Sequence, residues 1–269
     1  MTDPADMMKK IAEVYGLRVA DILRKDRTTK QNILWDAKGS RTRGRAEVFT
    51  PAWVCNEQNN LIDAAWFGRP EVFNRSEGRG WSTRKEPVFF PEDKTRTWKT
   101  YVDARRLEIT CGEAPYLASR YDVVTGEEIP LGERIGMLDR KLRIVGENTG
   151  SEEEWLRWAR RAFESVYGYE YQGDSLFLAR GNLLFSYAEY LERQLKRKPS
   201  RKELEEISAV ISWNIWQMDG VTYTVPKGED APEKGNPEPV YCRIRDWRSK
   251  VTLEYRSLAQ KGNEKECRI

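Results

Sequence analysis

Three short strings, far apart in the chain, place groups capable of chemistry beside turn-forming residues. They are Cys111-Gly112 after a β-like run at 106–110, Glu170 closing Tyr167-Gly168-Tyr169-Glu170, and Asp219 before Gly220. A glycine in a turn lets backbone approach a ligand closely. A carboxylate at a strand end accepts both hydroxyls of a ribose, as the acidic residue of dinucleotide folds does. Asp219, after a short apolar run, is placed to accept from an exocyclic amine. Ligands of doubly wound sheets sit beyond the carboxyl ends of the strands, so the three strings are expected to face one nucleotide-sized crevice.

The chain contains no histidine. That removes the usual general base, the Ser-His-Asp and Cys-His arrangements and most nitrogen-ligated zinc sites, and no metal site is assigned. Binding, desolvation and polar orientation remain as means of catalysis. A metal-dependent nuclease would need converging carboxylates; Asp103 and Glu108 near Arg105 and Arg106, or Glu254 near Asp246, are the nearest groupings and none has diagnostic spacing.

The elements that must position these groups follow from periodicity. A helical stripe covers 6–24, and a basic stretch at 25–45 is either a solvated loop or an arm for phosphates. Thr50 as N-cap and Pro51 in the first turn predict a helix over 52–65. Residues 68–100, broken by Gly and Pro, read as a long irregular excursion. Ser151 with Glu154 predicts the start of a helix over 152–166. A strand at 167–170 and a helix over about 174–193 then make a crossover unit of a mostly parallel sheet. A further helix at 202–211, a short strand at 222–226 and an edge-like strand at 251–255 complete the reading. The expected organisation is an N-terminal helix and basic segment at 1–45, then an α/β domain over 46–269.

Length and composition agree with this. At 269 residues, 39% of them hydrophobic, the chain can bury a substantial core. Its net charge of +3 is the small difference between 46 basic and 43 acidic residues, so nucleic acid would need a local basic face. Cys55, Cys111, Cys242 and Cys267 form no CxxC pair. They read as reduced thiols of a cytoplasmic protein, and no apolar run is long enough to span a bilayer.

Taken in order, Phe49-Thr50-Pro51, Glu108-Ile109-Thr110-Cys111-Gly112-Glu113-Ala114-Pro115-Tyr116, Tyr167-Gly168-Tyr169-Glu170 and Asn214-Ile215-Trp216-Gln217-Met218-Asp219-Gly220 resemble the motifs of DNA adenine-N6 methyltransferases of restriction-modification systems. The resemblance implies a Rossmann-like fold that binds S-adenosylmethionine and acts on adenine in DNA. Phe49, Thr50 and Pro51 would pack around the methionine part, Cys111 and Gly112 approach the cofactor, Glu170 hold the ribose and Asp219 meet the adenine amine. Trp66, Trp81, Tyr116, Trp213, Trp216 and Trp247 are candidates for stacking on a base.

The chain departs from that family at the catalytic step. No Asp/Asn-Pro-Pro-aromatic string follows Asp219, and the nearest, Asn236-Pro237-Glu238-Pro239, sits among turn-forming residues. In the family that string accepts from the adenine N6 amine and stacks on the extruded base. The alternatives are therefore a catalytically incomplete DNA-binding or regulatory protein, or one half of a split methyltransferase whose protein partner supplies the missing acceptors.

Overall fold

The computed structural model describes residues 49–91, 93–226 and 239–259. The expected helix at 6–24, the basic stretch at 25–45, Cys267 and Asn236-Pro237-Glu238 lie outside them. The elements in chain order are α1 (Ala52–Phe67), β1 (Asn74–Glu77), β2 (Gly80–Thr83), α2 (Trp98–Asp103), β3 (Arg106–Ile109), α3 (Met137–Asn148), α4 (Glu152–Glu164), β4 (Val166–Glu170), α5 (Gly173–Leu195), α6 (Arg201–Asn214), β5 (Ile215–Gln217), β6 (Arg243–Asp246) and β7 (Val251–Glu254).

At the centre is a parallel sheet of order β3-β4-β5 flanked by helices, an α/β arrangement of generic Rossmann-like kind. β4 is the middle strand and is buried along its whole length, as parallel strands are. Its alternate residues serve two cores. Val166 joins Ile215 and the apolar stripes of α3, α4, α5 and α6 on one face. Tyr169 joins Met218, Cys242 and Tyr255 on the other, under the β6–β7 hairpin and the helical residues 255–259. Tyr167 and Tyr169 fix that hairpin by donating to the carbonyls of Arg245 (2.9 Å) and Arg243 (3.3 Å).

The start of α1 differs from expectation. Pro51, not Thr50, occupies the cap position and no local side chain caps the helix. The Ala52 N–H donates instead to Asp122 Oδ2 at 2.7 Å, so a residue 70 positions away does the capping. At α4, Ser151 Oγ accepts from Glu154 N as expected. The helix stops at Glu164, because Val166 is needed as the first residue of β4.

Residues 68–100 are more ordered than their Gly and Pro content suggests. They contain the β1–β2 hairpin, which turns on Gly78 (φ 61°) between the paired Glu77 and Gly80, and the first turn of α2. Phe73 and Phe90 from this segment pack with Trp66, Phe67 and Tyr101. In place of the strand expected at 222–226 there is a single bridge, Thr224 to Tyr241. β7 pairs with β6, whose Arg-Ile-Arg-Asp sequence carries little strand signal. Cys55, Cys111 and Cys242 are buried free thiols, and no described helix is long and apolar enough to cross a membrane.

Candidate functional site at the carboxyl edge of the parallel sheet

The chain leaves β3 through an unusual turn. Thr110, Gly112 and Ala114 take positive φ values of 58°, 55° and 62°. For a β-branched residue such as Thr110 the left-handed region costs about 1–3 kcal/mol and persists only where surroundings impose it. From this turn Gly112 N donates to Glu170 Oε2 at 2.6 Å. Gln172 N donates to the other oxygen, Oε1, at 2.9 Å. Each carboxylate oxygen keeps further lone-pair capacity for a ligand hydroxyl.

Two glycines explain how these strings meet. Gly168 faces Cys111, and a Cβ built there would lie 3.0 Å from Cys111 Sγ and 3.1 Å from Ile215 Cδ1. A methyl there would press on both side chains, and the glycine gives Cys111 its room against β4. Beside Gly112, in contrast, a built Cβ meets no atom within 4 Å, so the turn borders open space.

Glu108, one strand over, is a residue whose role the sequence did not disclose. It pairs with Gly168 across the ladder. The residue is half-buried, but its Oε2 is enclosed and has no hydrogen-bond partner. Burial, and secondarily the nearby Glu170 carboxylate, hold the Glu108 carboxyl well above the usual range. A carboxyl so placed favours its neutral form more than a solvated one does. Its signal in the sequence was a carboxylate inside an apolar strand, which strand alternation alone reads as a surface residue.

The Phe49-Thr50-Pro51 segment reaches the same place from α1. Cys55 Sγ lies 3.9 Å from the Thr50 carbonyl oxygen. Burial and the Glu108 carboxyl push the Cys55 thiol up to about 12. The Tyr116 hydroxyl is likewise raised to about 12, chiefly by burial and then by Cys55. Thr50, Cys55, Glu108, Cys111, Tyr116 and Glu170 thus share one neighbourhood.

Asp219 lies at the same end of the sheet. Met218 N donates to the Glu170 carbonyl at 2.9 Å, and Gly220 packs over Ile109 and Thr110. The Asp219 carboxylate is turned to local use: Oδ1 accepts from Val221 N (2.8 Å) and Thr222 N (3.0 Å), which holds its ionisation below the ordinary carboxylate range.

The other groupings separate. Asp103 pairs with Arg161 and Arg248 at the amino ends of the strands, away from Glu108. Asp246 pairs with Arg105, and Glu254 with Arg256, at opposite ends of the β6–β7 hairpin. A shallow surface dip at that amino end is lined by Asp103, Arg105, Arg161, Asp246 and Arg248. Among the described residues no three or more Cys, Asp or Glu side chains gather as a cation site would need. Of the aromatics, Trp66 is packed among core rings and Trp81 donates to the Glu133 carbonyl. Trp213 and Trp216 lie 6.0 Å apart, with the Arg245 guanidinium over Trp213 and Trp247.

No family model, curated protein or solved structure matches this chain.

Proposed function

We propose that the chain binds S-adenosylmethionine at the carboxyl edge of β3–β5 and serves methylation of adenine N6 in DNA. The reading rests on one observation: Gly112 N reaches a Glu170 carboxylate oxygen 58 residues away, and the enclosed, partnerless Glu108 Oε2 belongs to a carboxyl that feels Glu170. The residues suit such a ligand. Glu170, fixed by two backbone N–H groups, presents its remaining lone pairs to a ribose. Gly112 leaves room beside the turn for close approach. A cationic group beside Glu108 would favour its ionised form, because a positive charge offsets the cost of burial.

When bound, the cofactor supplies an electrophilic methyl group for an amine nucleophile. The chain's own part is to hold and orient it and, through the Met218–Gly220 turn, to border the place where a base would enter. Basic residues at 25–45, outside the described residues, suit the phosphates of DNA.

Titration calorimetry of the full chain with S-adenosylmethionine tests the site. Binding is expected, and Glu170→Ala should weaken it about ten-fold or more, as loss of a hydrogen bond to a charged group does. Absence of heat from well-folded protein would overturn the assignment. Labelled cofactor with mixed-sequence DNA then reads the chemistry: transferred label marks an enzyme complete in itself, and binding without transfer marks a chain that needs a partner.

A further inference from the structure

The second face of the parallel sheet, away from α3 to α6, is only partly covered. Leu107 and Ile109 of β3 stand opposite Tyr167 and Tyr169 in the ladder and so share their face. The β6–β7 hairpin covers the two tyrosines and leaves Leu107 44% and Ile109 42% exposed. Residues 223–225, which follow β5, bond to one flank of the segment leading into β6, through Cys242 N to the Tyr223 carbonyl and Val225 N to the Val240 carbonyl. β7 takes the other flank, toward β3. The turn of the hairpin meets the start of β3, where Arg248 donates to the Asp103 carbonyl at 2.6 Å and Arg105 pairs with Asp246 at 2.8 Å.

Within the hairpin, Leu253 is opposite Ile244 and Val251 opposite Asp246. That places both on the side that Ile244 turns to the second core. They too are open, at 40% and 45%. Four aliphatic side chains from two separate elements thus line the two walls of one cleft, and none of them belongs to either core. A single exposed aliphatic side chain needs no explanation, but a group on facing surfaces marks a place where something docks.

The chain itself carries one segment suited to it. Of the longer stretches outside the described residues, 227–238 offers only Ala231, Pro232 and Pro237, and 260–269 only Cys267 and Ile269. Residues 6–24 in contrast carry Met7, Ile11, Val14, Leu17, Val19, Ile22 and Leu23 at helical spacing, and an apolar stripe of that kind is stable in water only when it is covered. The point of attachment fits as well. The described residues begin at Phe49, and Thr50 stands near β3, because Cys55 lies 3.9 Å from the Thr50 carbonyl and feels the Glu108 carboxyl.

We propose that residues 6–24 dock as a helix in the cleft between β3 and the β6–β7 hairpin, with the apolar stripe against Leu107, Ile109, Val251 and Leu253. The proposal goes beyond the cofactor reading and holds whether or not a cofactor binds. Residues 25–48 readily span from the cleft to Phe49. They are then tied at both ends, so that Lys38, Arg41, Arg43 and Arg45 stay beside the carboxyl edge of the sheet instead of on a free arm.

The test uses the full chain, with p-benzoylphenylalanine in place of Leu107 in one preparation and of Leu253 in another, irradiated in dilute solution. Both are expected to crosslink within the monomer to a peptide from residues 6–24. If one substituted chain fails to fold, the other decides. Ile11→Asp with Val14→Asp, which puts charge on one side of the stripe, should weaken the crosslinks and speed amide exchange at Leu253 about ten-fold, with Tyr169 of the central strand as in the parent. A crosslink from a folded chain to a second copy, to another segment or to no peptide at all overturns the proposal, as does exchange at Leu253 that the double substitution leaves unchanged.

Discussion

Two groups of buried polar side chains solve opposite problems. Between α1, α2, α3 and β1 the groups bond to one another across four elements, with Asn56 Nδ2 and Arg140 Nε left without a partner. Asp63 accepts from the Tyr101 hydroxyl at 2.8 Å and from Arg140. Arg140 also donates to Asn56 Oδ1 (2.9 Å) and Asn60 Oδ1 (2.8 Å), and Asn74 Nδ2 donates to Asn56 Oδ1 at 2.7 Å. The guanidinium rests on the Phe73 ring. At the carboxyl edge of the sheet, by contrast, two acidic side chains adjoin and the backbone beside them is in left-handed conformations. The first arrangement ties four elements together. The second holds groups ready at a cost, which is where a ligand contributes most.

The largest expected effect tests the first group. Asp63→Ala leaves Arg140 charged and buried without its carboxylate, and should destabilise the fold by about 3–5 kcal/mol in chemical denaturation. A loss below about 1 kcal/mol would mean that Arg140 finds water or another partner, and the contrast would fail.

Gly168→Ala comes next. The new methyl must displace Cys111 or Ile215, and overpacking of this kind should cost about 1–3 kcal/mol. Cofactor affinity should fall with it, because Cys111 leads into the Gly112 turn; unchanged affinity in the folded variant would separate β4 from the site.

Glu108→Gln should act in the other direction. Because the folded-state carboxyl is raised above its ordinary value of 4.5, the native state binds the proton more tightly than the unfolded chain. Its contribution is therefore fully present at low pH and is lost as pH rises from there toward the folded value, by about 1.4 kcal/mol per pH unit. The glutamine variant, which does not titrate, should be level with the parent near pH 4 and more stable than it at pH 7, as thermal unfolding across pH would show. Parallel pH profiles for the two proteins would mean that Glu108 is ionised in the native state.

The smallest effect is expected at Gly112. Alanine meets open space there but must adopt a φ of 55°, so Gly112→Ala should cost about 1 kcal/mol in stability. If the proposed site holds S-adenosylmethionine, the loss in its affinity should exceed the loss in stability.

Two strands of the parallel sheet, β3 and β4, and the helices α4, α5 and α6 were legible in the sequence because their signals are local, whereas α3 and β5 were not foreseen. Ser151 and Ser200 cap α4 and α6 from adjacent positions, and the Tyr-Gly-Tyr-Glu string has both strand composition and a glycine whose purpose packing makes plain. What remained hidden is carried by long-range partners. Asp122 caps a helix 70 residues earlier, and Arg140 meets Asp63 from 77 residues away. The β1–β2 hairpin stands inside a segment whose Gly and Pro content suggested irregularity, because its turn needs that glycine. Glu108 could be seen only as one acid among many until β4 was placed beside it. The local turn that occupies Asp219 is itself short-range, an aspartate accepting two and three residues on, and was obscured by reading that residue for a ligand.

α6 passes into β5 without an intervening loop, and the junction residue Asn214 is clamped: its Nδ2 donates to the Phe163 and Val166 carbonyls at 2.9 Å each, while its Oδ1 accepts from Trp247. The helix therefore acts as a ruler with no slack at its end. Removing one residue from it would advance the following strand by about 1.5 Å and turn it about 100°, exchanging the sides that Ile215 and Trp216 present. Tolerance of insertions should thus be poor throughout α6, even on its solvent side, and a shift at its far end would be passed undiminished to the turn beyond β5.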